Sequence, residues 1–449
     1  METPAQEKLD FKKVLPIFVI VLVDLLGLTI IIPLLPLYAV TFGADALTIG
    51  ALGTTYPLMQ MLAAPLLGGL SDRYGRKPVL VISQIGTFIG FLVLGFANAI
   101  PLLFLSRLID GLSGANIVAA QAAITDSTTD RTRAQGLGLI GAAFGLGFTL
   151  GPAIAGIALA LSGNDYHVPA FVAAAFSLVA ILLTTFWFTE TLPAEKRGQQ
   201  QSGSNIVGRV IDGVRHPLVG MLLILMFLQQ LVFGGFEQLL SLFTLNRLGL
   251  NAAGNAVVFV FVGVILVFVQ GKYIGPWSRR FGERKLVYSG LALLAVGLIL
   301  TAITPGQAVP WYTRAELQAE LDDPQRNPTE QIQVELPDDS NRGWLGLVWL
   351  LVAMVPASIG GGILSPSINS LITQRARPQE VGSMLGVSSA LVSTANAITP
   401  LIGGALFKFL GSTAPFLIGG ALMGVFMLIA MQTVRSGPEE EKRAAASAA

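Results

Sequence analysis

Charged side chains are rare inside the apolar runs of this 449-residue chain, and those few are the residues best placed to do chemistry. Asp24 lies about ten residues into the first run, where an ionised carboxylate costs about 2.5 to 3.5 kcal/mol in a membrane. Such a group must face a cavity, pair with a cation or hold a proton. We predict that Asp24 exchanges a proton, and the alternative is that it only holds neighbouring helices together.

Arg107 is the one arginine well inside an apolar run. A guanidinium keeps its proton, so Arg107 needs acidic or polar neighbours. Asp110 follows three residues later on the same helical face. The two side chains form either a pair with a role in function or a local ion pair that only neutralises Arg107. Gln121, fourteen residues after Arg107, returns to nearly the same face and extends a polar path.

A second group of polar residues lies in the seventh apolar run. Glu237 is its only acid, and Gln230 and Phe233 precede it by seven and four residues, so all three share one helical face. An acid, an amide and an aromatic ring suit an amphipathic or cationic organic substrate, although they also suit an ordinary hydrogen bond between helices. The candidates for substrate binding are Gln60, Gln121, Gln230, Phe233 and Glu237.

The elements that must position these side chains are membrane helices. A spanning helix needs about 20 mostly apolar residues, and twelve such runs occur. The charged fraction is 12%, against roughly 25% in soluble proteins, which excludes a water-soluble globular enzyme. The predicted fold is all-α and polytopic, with the lipid bilayer around it. The spans, numbered one to twelve, are 14–40, 48–70, 78–98, 101–124, 134–161, 168–190, 217–245, 254–275, 286–304, 343–372, 380–408 and 413–434.

Lysine and arginine predict the orientation of the spans. With twelve spans both termini lie on one side of the membrane, and 22 of the 28 basic residues fall on that side or in loops that open to it. We therefore expect cytoplasmic termini in a bacterial-type inner (plasma) membrane.

The chain also repeats itself. Gly-Gly-Leu-Ser-Asp-Arg-Tyr-Gly at 68–75 has a counterpart in Gly-Pro-Trp-Ser-Arg-Arg-Phe-Gly at 275–282, and a second pair lies at 150–156 and 398–404. Two parallel six-helix bundles follow, an architecture of transporters whose substrate site lies between the halves. The predicted domains are the cytoplasmic segment 1–13, the N-terminal bundle 14–190, the linker 191–216, the C-terminal bundle 217–434 with the outer loop 305–342, and the cytoplasmic tail 435–449.

The outer loop 305–342 carries eight acids against three arginines. We expect a solvated insertion with one short helix over 314–321. The alternative is a surface that binds a partner protein.

Several classes of protein are excluded by composition. A net charge of +1 offers nothing to neutralise a phosphate backbone, so no nucleic acid partner is expected. Cysteine is absent and the two histidines are far apart, so we expect no metal site. Neither a phosphate-binding lysine loop nor a nucleophile with its base is visible, so we expect no enzyme, no cofactor and no nucleotide drive. The protein is expected to be a monomer.

The loop Gly-Gly-Leu-Ser-Asp-Arg-Tyr-Gly-Arg-Lys at 68–77 resembles the signature loop of the major facilitator superfamily. Three further segments resemble the proton-coupled drug antiporters, and among them the tetracycline efflux transporters: 24–36 in span one, 107–114 in span four and 145–156 in span five. The last is similar to the glycine-proline signature of antiporters. This resemblance implies two six-helix bundles and alternating access.

The resemblance also implies roles for single residues. It makes Asp24, Arg107 and Asp110 the proton-coupling group, in which Arg107 responds to protonation of one of the two acids. It implies an antiporter hinge that limits leak, formed by Gly145, Gly151, Pro152 and Gly156.

A cytoplasmic gate is implied as well. In it, Asp72 docks on the start of span eleven near Gly382 and Ser383, and Arg73 pairs with Asp126. The residues of this gate are Gly68, Asp72, Arg73, Gly75, Arg76 and Asp126.

The function expected from these observations is proton-driven export of a small amphipathic organic compound or drug. One alternative is a uniporter or symporter for a metabolite or lipid. Another is a non-transporting scaffold or receptor that binds its partner through the acidic outer loop.

Overall fold

The computed structural model describes residues 10–114, 116–129, 132–198, 206–321, 334–377 and 380–434, and the predicted tail 435–449 lies outside them. Apart from one bridge between Ala308 and Arg342, the regular structure in these ranges is helical. The spans are formed by Phe11–Ile31 with Leu35–Thr41, Ala46–Tyr74, Arg76–Gly95, Ile100–Ser113 with Asn116–Asp126, Arg133–Ser162, His167–Phe186, Gly220–Leu248, Ala252–Phe268 continued by Val269–Tyr273 and Ile274–Phe281, Glu283–Ala302, Leu345–Arg375, Val381–Leu410, and Ala414–Thr433. Shorter helices at Ala194–Lys196, Ile206–Arg215 and Arg314–Leu321 lie in the connections.

Eleven helical stretches in the described ranges are long and apolar enough to cross a membrane, one fewer than predicted. The difference is span two. Its helix Ala46–Tyr74 has 29 residues, ample length for a bilayer, but Gly53, Thr54, Thr55 and Gln60 interrupt its apolar run. Span two packs along span eleven.

The two halves meet along two pairs of spans, two with eleven and five with eight. Small residues make the first contact close. Gly50 lies against the carbonyl of Pro400, and Gly404 lies against the carbonyl of Ala46. Glycine at such positions lets helix backbones approach in lipid.

An even number of crossings brings the start of span one and the end of span twelve to one face of the bundle, called here the terminal face, and the opposite face is called distal. At the distal face an ion pair between Asp45 and Lys408 joins the two halves. Ser241 of span seven donates to the carbonyl of Pro33 in span one at 2.8 Å. Further hydrogen bonds join the halves at mid-bundle. The conformation is therefore closed at the distal face.

The described parts of the outer loop, 305–321 and 334–342, pack more closely on the bundle than the expected solvated insertion. Its helix Arg314–Leu321 confirms the predicted one. Val309, Leu317 and Leu321 are buried, and the backbone N–H of Val309 donates to the carbonyl of Leu248 at 3.0 Å. These parts of the loop pack on the distal end of the bundle through their apolar residues, while four of their five acids are exposed.

One acid of this loop turns inwards. Glu320 accepts a hydrogen bond from Asn251, which caps span eight, at 3.0 Å, and Asn164 of the N-terminal half hydrogen-bonds to the same carboxylate. Burial raises the pKa of Glu320, and these two hydrogen bonds offset only part of that effect. Helix Arg314–Leu321 thus bridges the two halves at the distal face.

Candidate functional site

Span four is interrupted by a turn at Gly114, called here the break. Its first described helix ends at Ser113 and its second begins at Asn116, and residue 115 between them lies outside the described residues. Span two packs closely against span four just before the break. A Cβ atom on Gly111 would lie 2.6 Å from the carbonyl oxygen of Tyr56 in span two. Broken helices free backbone polar groups and form the ion and substrate sites of many transporters. The buried polar residues of the N-terminal half gather around this break.

Asp24 lies beside the break. Its side chain is 9% exposed, and the Asn116 amide donates a hydrogen bond to its Oδ2 atom. The Oδ1 atom of Asp24 has no hydrogen-bond partner among the described residues. Asn116 was not predicted, although Gly114-Ala-Asn116 inside an apolar run is a recognisable break signal.

Arg107 and Asp110 form a buried ion pair, with Nη1 of Arg107 3.1 Å from Oδ2 of Asp110. The guanidinium also lies over the ring of Phe91, with its Cζ atom 5.6 Å from the ring centre. Asp110 is close enough to Asp24 to act on it electrostatically. The structure therefore brings the three predicted proton-coupling residues into one cluster, in which Asp110 rather than Asp24 is the ion-pair partner of Arg107.

The two glutamines of this half that were predicted to bind substrate occupy different environments. The Gln60 amide donates to the carbonyl of Gly114 at 2.6 Å and so satisfies a backbone acceptor at the break. Gln121 is exposed, whereas Arg107 is buried. The two residues lie on opposite sides of the break, and the prediction that they share a face stays a prediction.

The predicted face of span seven exists on the continuous helix Gly220–Leu248. Gln230 donates to the side-chain oxygen of Asn396 in span eleven at 2.9 Å. Phe233 lies against Gly361 of span ten. Glu237 is partly exposed and has no hydrogen bond or ion pair with the described residues. Glu237 is thus the free carboxylate of this face, and Asn396 is a neighbour that the sequence did not reveal.

Span five lies between spans one and eight. Its helix Arg133–Ser162 continues through Pro152 without a break. A Cβ atom on Gly151 would collide with Thr29 of span one, and one on Gly156 would lie 3.0 Å from Ala256 of span eight. Gly145 lies near Gln270, also of span eight. The glycines of the predicted hinge are therefore the points at which three helices meet.

The signature loop forms a charge network within the N-terminal half. Nε of Arg76 lies 2.9 Å from Asp126, and its Nη1 lies 2.5 Å from Asp72. The prediction that Arg73 pairs with Asp126 is wrong. Arg73 is exposed and lies over the ring of Tyr74, because the turn at Gly75 points Arg76 rather than Arg73 at the end of span four.

The predicted docking of Asp72 on span eleven stays a prediction. Asp72 is bonded to Arg76 in this conformation, and its carbonyl accepts a hydrogen bond from the N–H of Gly198 at 3.0 Å. The side chains at 382 and 383 lie outside the described residues. Gly68, the first residue of the motif, has only an ordinary contact with Val118 of span four.

Glu190, at the end of span six, is an unpredicted part of this network. Its carboxylate accepts hydrogen bonds from the N–H groups of Arg76 and Lys77 at 3.0 and 3.1 Å and so caps span three. Gly75 has φ of 109°, and any side chain there would collide with Glu190. The sequence signal was a lone acid at the end of an apolar run.

Two parallel helical halves, one of which buries a polar cluster beside an interrupted helix, are typical of the architecture of secondary transporters. The chain matches the family model of the Major Facilitator Superfamily over residues 17–314 and 343–449. It therefore belongs to that superfamily.

Similarity to individual resistance proteins is consistent with this assignment. The chain is 28% identical to the class B tetracycline resistance protein of Escherichia coli over 396 residues, which cover 87% of each chain. It is 24% identical to multidrug resistance protein 2 of Bacillus subtilis (strain 168), with 92% of this chain and 94% of that protein covered.

A solved structure shows the same fold. The human organic anion transporter MFSD10 (TETRAN) superimposes with a TM-score of 0.66 at 22% identity, over 94% of this chain and all of that one.

Proposed function

We propose that this protein is a proton-driven antiporter that exports a small amphipathic organic compound by alternating access. The observation that carries the proposal is the cluster at the break of span four. Asp24 is buried there beside an arginine that already has an acidic partner. A carboxylate without its own cation in a membrane interior is a natural carrier of protons.

The proposed cycle couples the protonation of Asp24 to the arrangement of the halves. A protonated Asp24 removes one negative charge from the neighbourhood of the Arg107–Asp110 pair. The balance of forces at the break then changes, and the break is where span two packs against span four. We assign the terminal face to the cytoplasm, so this distal-closed conformation is the one that loads substrate and releases the proton.

The substrate site is proposed on the face of span seven. Glu237 supplies a carboxylate with no described partner, Phe233 supplies an aromatic ring, and the Gln230–Asn396 pair supplies amide groups. This combination suits a molecule with an apolar body and a positive or polar end. The similarity to tetracycline and multidrug resistance proteins supports the same class of substrate.

A transport screen in everted membrane vesicles tests the proposal. A panel of amphipathic drugs is presented under an imposed pH gradient to wild type, Asp24→Asn and Arg107→Ala. We expect at least one compound whose gradient-driven uptake is lost in both variants. The matched control is Glu316→Gln, which removes an exposed acid of the distal loop and should transport like wild type.

Uptake by the wild type that does not depend on the pH gradient would contradict the proposal and would favour a uniporter. Loss of activity in Glu316→Gln with retention in Asp24→Asn would instead favour a partner-binding role for the loop.

A further inference from the structure

A small cavity, about the size of a single water molecule, adjoins Asp24 on the side of the terminal face. It lies between spans one, three and four. Its lining is Ile20, Val21, Asp24, Leu80, Gln84, Asn116 and Ile117.

Two oxygen atoms of the lining residues lack hydrogen bonds. Gln84 is 1% exposed, and its Oε1 atom has no partner among the described residues. The Oδ1 atom of Asp24 also has no hydrogen-bond partner among the described residues, because Asn116 donates to the other carboxylate oxygen. A buried acceptor left without a donor costs about 1 to 3 kcal/mol, so two such acceptors beside one cavity call for a donor between them.

A water molecule meets this requirement. It carries two O–H donors, one for each of the two free acceptors, and buried waters typically bind two to four polar groups. The other cavity residues besides Asn116 are apolar and provide no competing partner.

We propose that one water molecule binds between Asp24 and Gln84, and that Gln84 is a positioning residue for proton exchange at Asp24. The proposal rests on the proposed role of Asp24 as the proton carrier. In this distal-closed conformation a proton passes from Oδ1 of the protonated Asp24 to the water, the carboxylic acid becomes a carboxylate, and the water gives up one proton to solvent at the terminal face. The return passage reverses each step, so that neither atoms nor electrons are left over.

The other charged and titratable groups that act on Asp24 belong to spans two and four. They are Tyr56 and Asp110, and Asp110 is in turn paired with Arg107. Arg107 and Asp110 are occupied with each other, whereas the Gln84 oxygen is free to accept from the water. Gln84 therefore fixes the position of the water without taking its proton.

Infrared difference spectroscopy on the purified, lipid-reconstituted protein tests the site. Protonation of Asp24 is triggered by a pH step, and the spectra are recorded in ordinary water and in water enriched with oxygen-18. We expect an O–H stretching band that shifts with oxygen-18 and disappears in Gln84→Met. A 2 Å or better structure of wild type should show density within hydrogen-bond distance of both oxygens.

The matched control is Gln229→Met. Gln229 is also buried, with a free Oε1 atom, but it lies in span seven, away from this cavity. The band should persist in this control, so general damage from replacing a buried glutamine is separated from loss of the water. A band that survives Gln84→Met, or the absence of density between the two oxygens, overturns the proposed water site.

Failure of the proposed function looks different. If Asp24→Asn still couples protons to transport, Asp24 is not the carrier. The infrared band in wild type and its loss in Gln84→Met would still show the water.

Discussion

The two halves of this transporter share a backbone plan but differ in the chemistry of their interiors. The N-terminal half buries an ion pair, Arg107–Asp110, and the carboxylate of Asp24. On the facing side of the C-terminal half, span seven offers the neutral Gln230–Asn396 pair and Glu237, which has no described partner. A repeated fold has thus been given two separate tasks, proton handling in one half and substrate binding in the other under our proposal.

The repeated loops show the same division on a smaller scale. Gly75 and Gly282 both have positive φ, and the helix that follows each begins with a charged residue. In the N-terminal half that residue is Arg76, which donates to Ser71 at 3.2 Å. In the C-terminal half it is Glu283, which accepts from Ser278 at 2.8 Å. The turn geometry is kept while the charge is reversed.

The largest effect should come from breaking the buried ion pair. Asp110→Asn leaves Arg107 without its acid and should lower the free energy of unfolding by about 3 to 5 kcal/mol. The comparison variant in the other half is Gln230→Met, which removes a neutral hydrogen bond and should cost about 1 kcal/mol. Chemical unfolding of the purified protein in detergent measures both. Equal losses would contradict the division between the halves.

The loops are distinguished by a pair of alanine variants. Gly75→Ala and Gly282→Ala each place a side chain at positive φ, a strain of about 1 to 3 kcal/mol. Gly75→Ala also displaces the Glu190 carboxylate that caps span three, which adds about 1 kcal/mol. The same unfolding measurement should find Gly75→Ala the more damaging. If Gly282→Ala is equally damaging, the Glu190 cap contributes nothing.

The distal ion pair should have a smaller effect. Burial opposes ionisation of Asp45, but hydrogen bonds with Lys408 and Thr48 outweigh it and hold the pKa of Asp45 below its ordinary value. A lowered pKa means that the contact is present above the ordinary pKa and is lost as the pH falls through the lowered one.

A partly exposed pair of this kind contributes about 0.2 to 1 kcal/mol. Asp45→Asn should therefore shift the population only modestly towards a distal-open conformation. Spin labels at the distal ends of spans two and eleven report the separation. Unchanged distances in this variant and on acidification would show that the pair does not hold the halves together.

The smallest effect is expected at the distal loop, with the opposite pH dependence. The pKa of Glu320 is raised, so docking of helix Arg314–Leu321 is favoured at low pH and weakens as the pH rises through that raised pKa. Glu320→Gln should hold the helix docked at all pH values. Hydrogen exchange of the helix, measured as a function of pH, checks this. Identical pH profiles for wild type and variant would exclude Glu320 as the titrating group.

The sequence predicted the charged residues, whose burial in a membrane costs much free energy, and missed neutral polar residues, whose burial costs less. Asp24, Arg107 and Asp110 stand out because a charge in an apolar run needs a reason. Asn116, Gln84 and Asn396 were missed, because a neutral amide in a membrane helix costs less than a charge and its partner is decided by the packing of distant helices.

Local backbone geometry also limited what could be predicted from the sequence. Arg76, rather than the predicted Arg73, is the partner of Asp126. This follows from the turn at Gly75, which residue spacing alone does not define. In the same way, the spacing from Arg107 to Gln121 does not show the turn at Gly114 that lies between them. The superfamily fold was predictable because repeated apolar runs and a repeated loop determine it over the whole chain.

The central claim is that Asp24 carries the coupling proton, and transport in liposomes tests it most directly. Once the vesicle screen supplies a substrate, pH-driven accumulation and substrate-for-substrate exchange are measured with wild type and Asp24→Asn. We predict that Asp24→Asn loses accumulation but keeps exchange, because the substrate face in span seven is intact. Accumulation at the wild-type level in Asp24→Asn would contradict the claim.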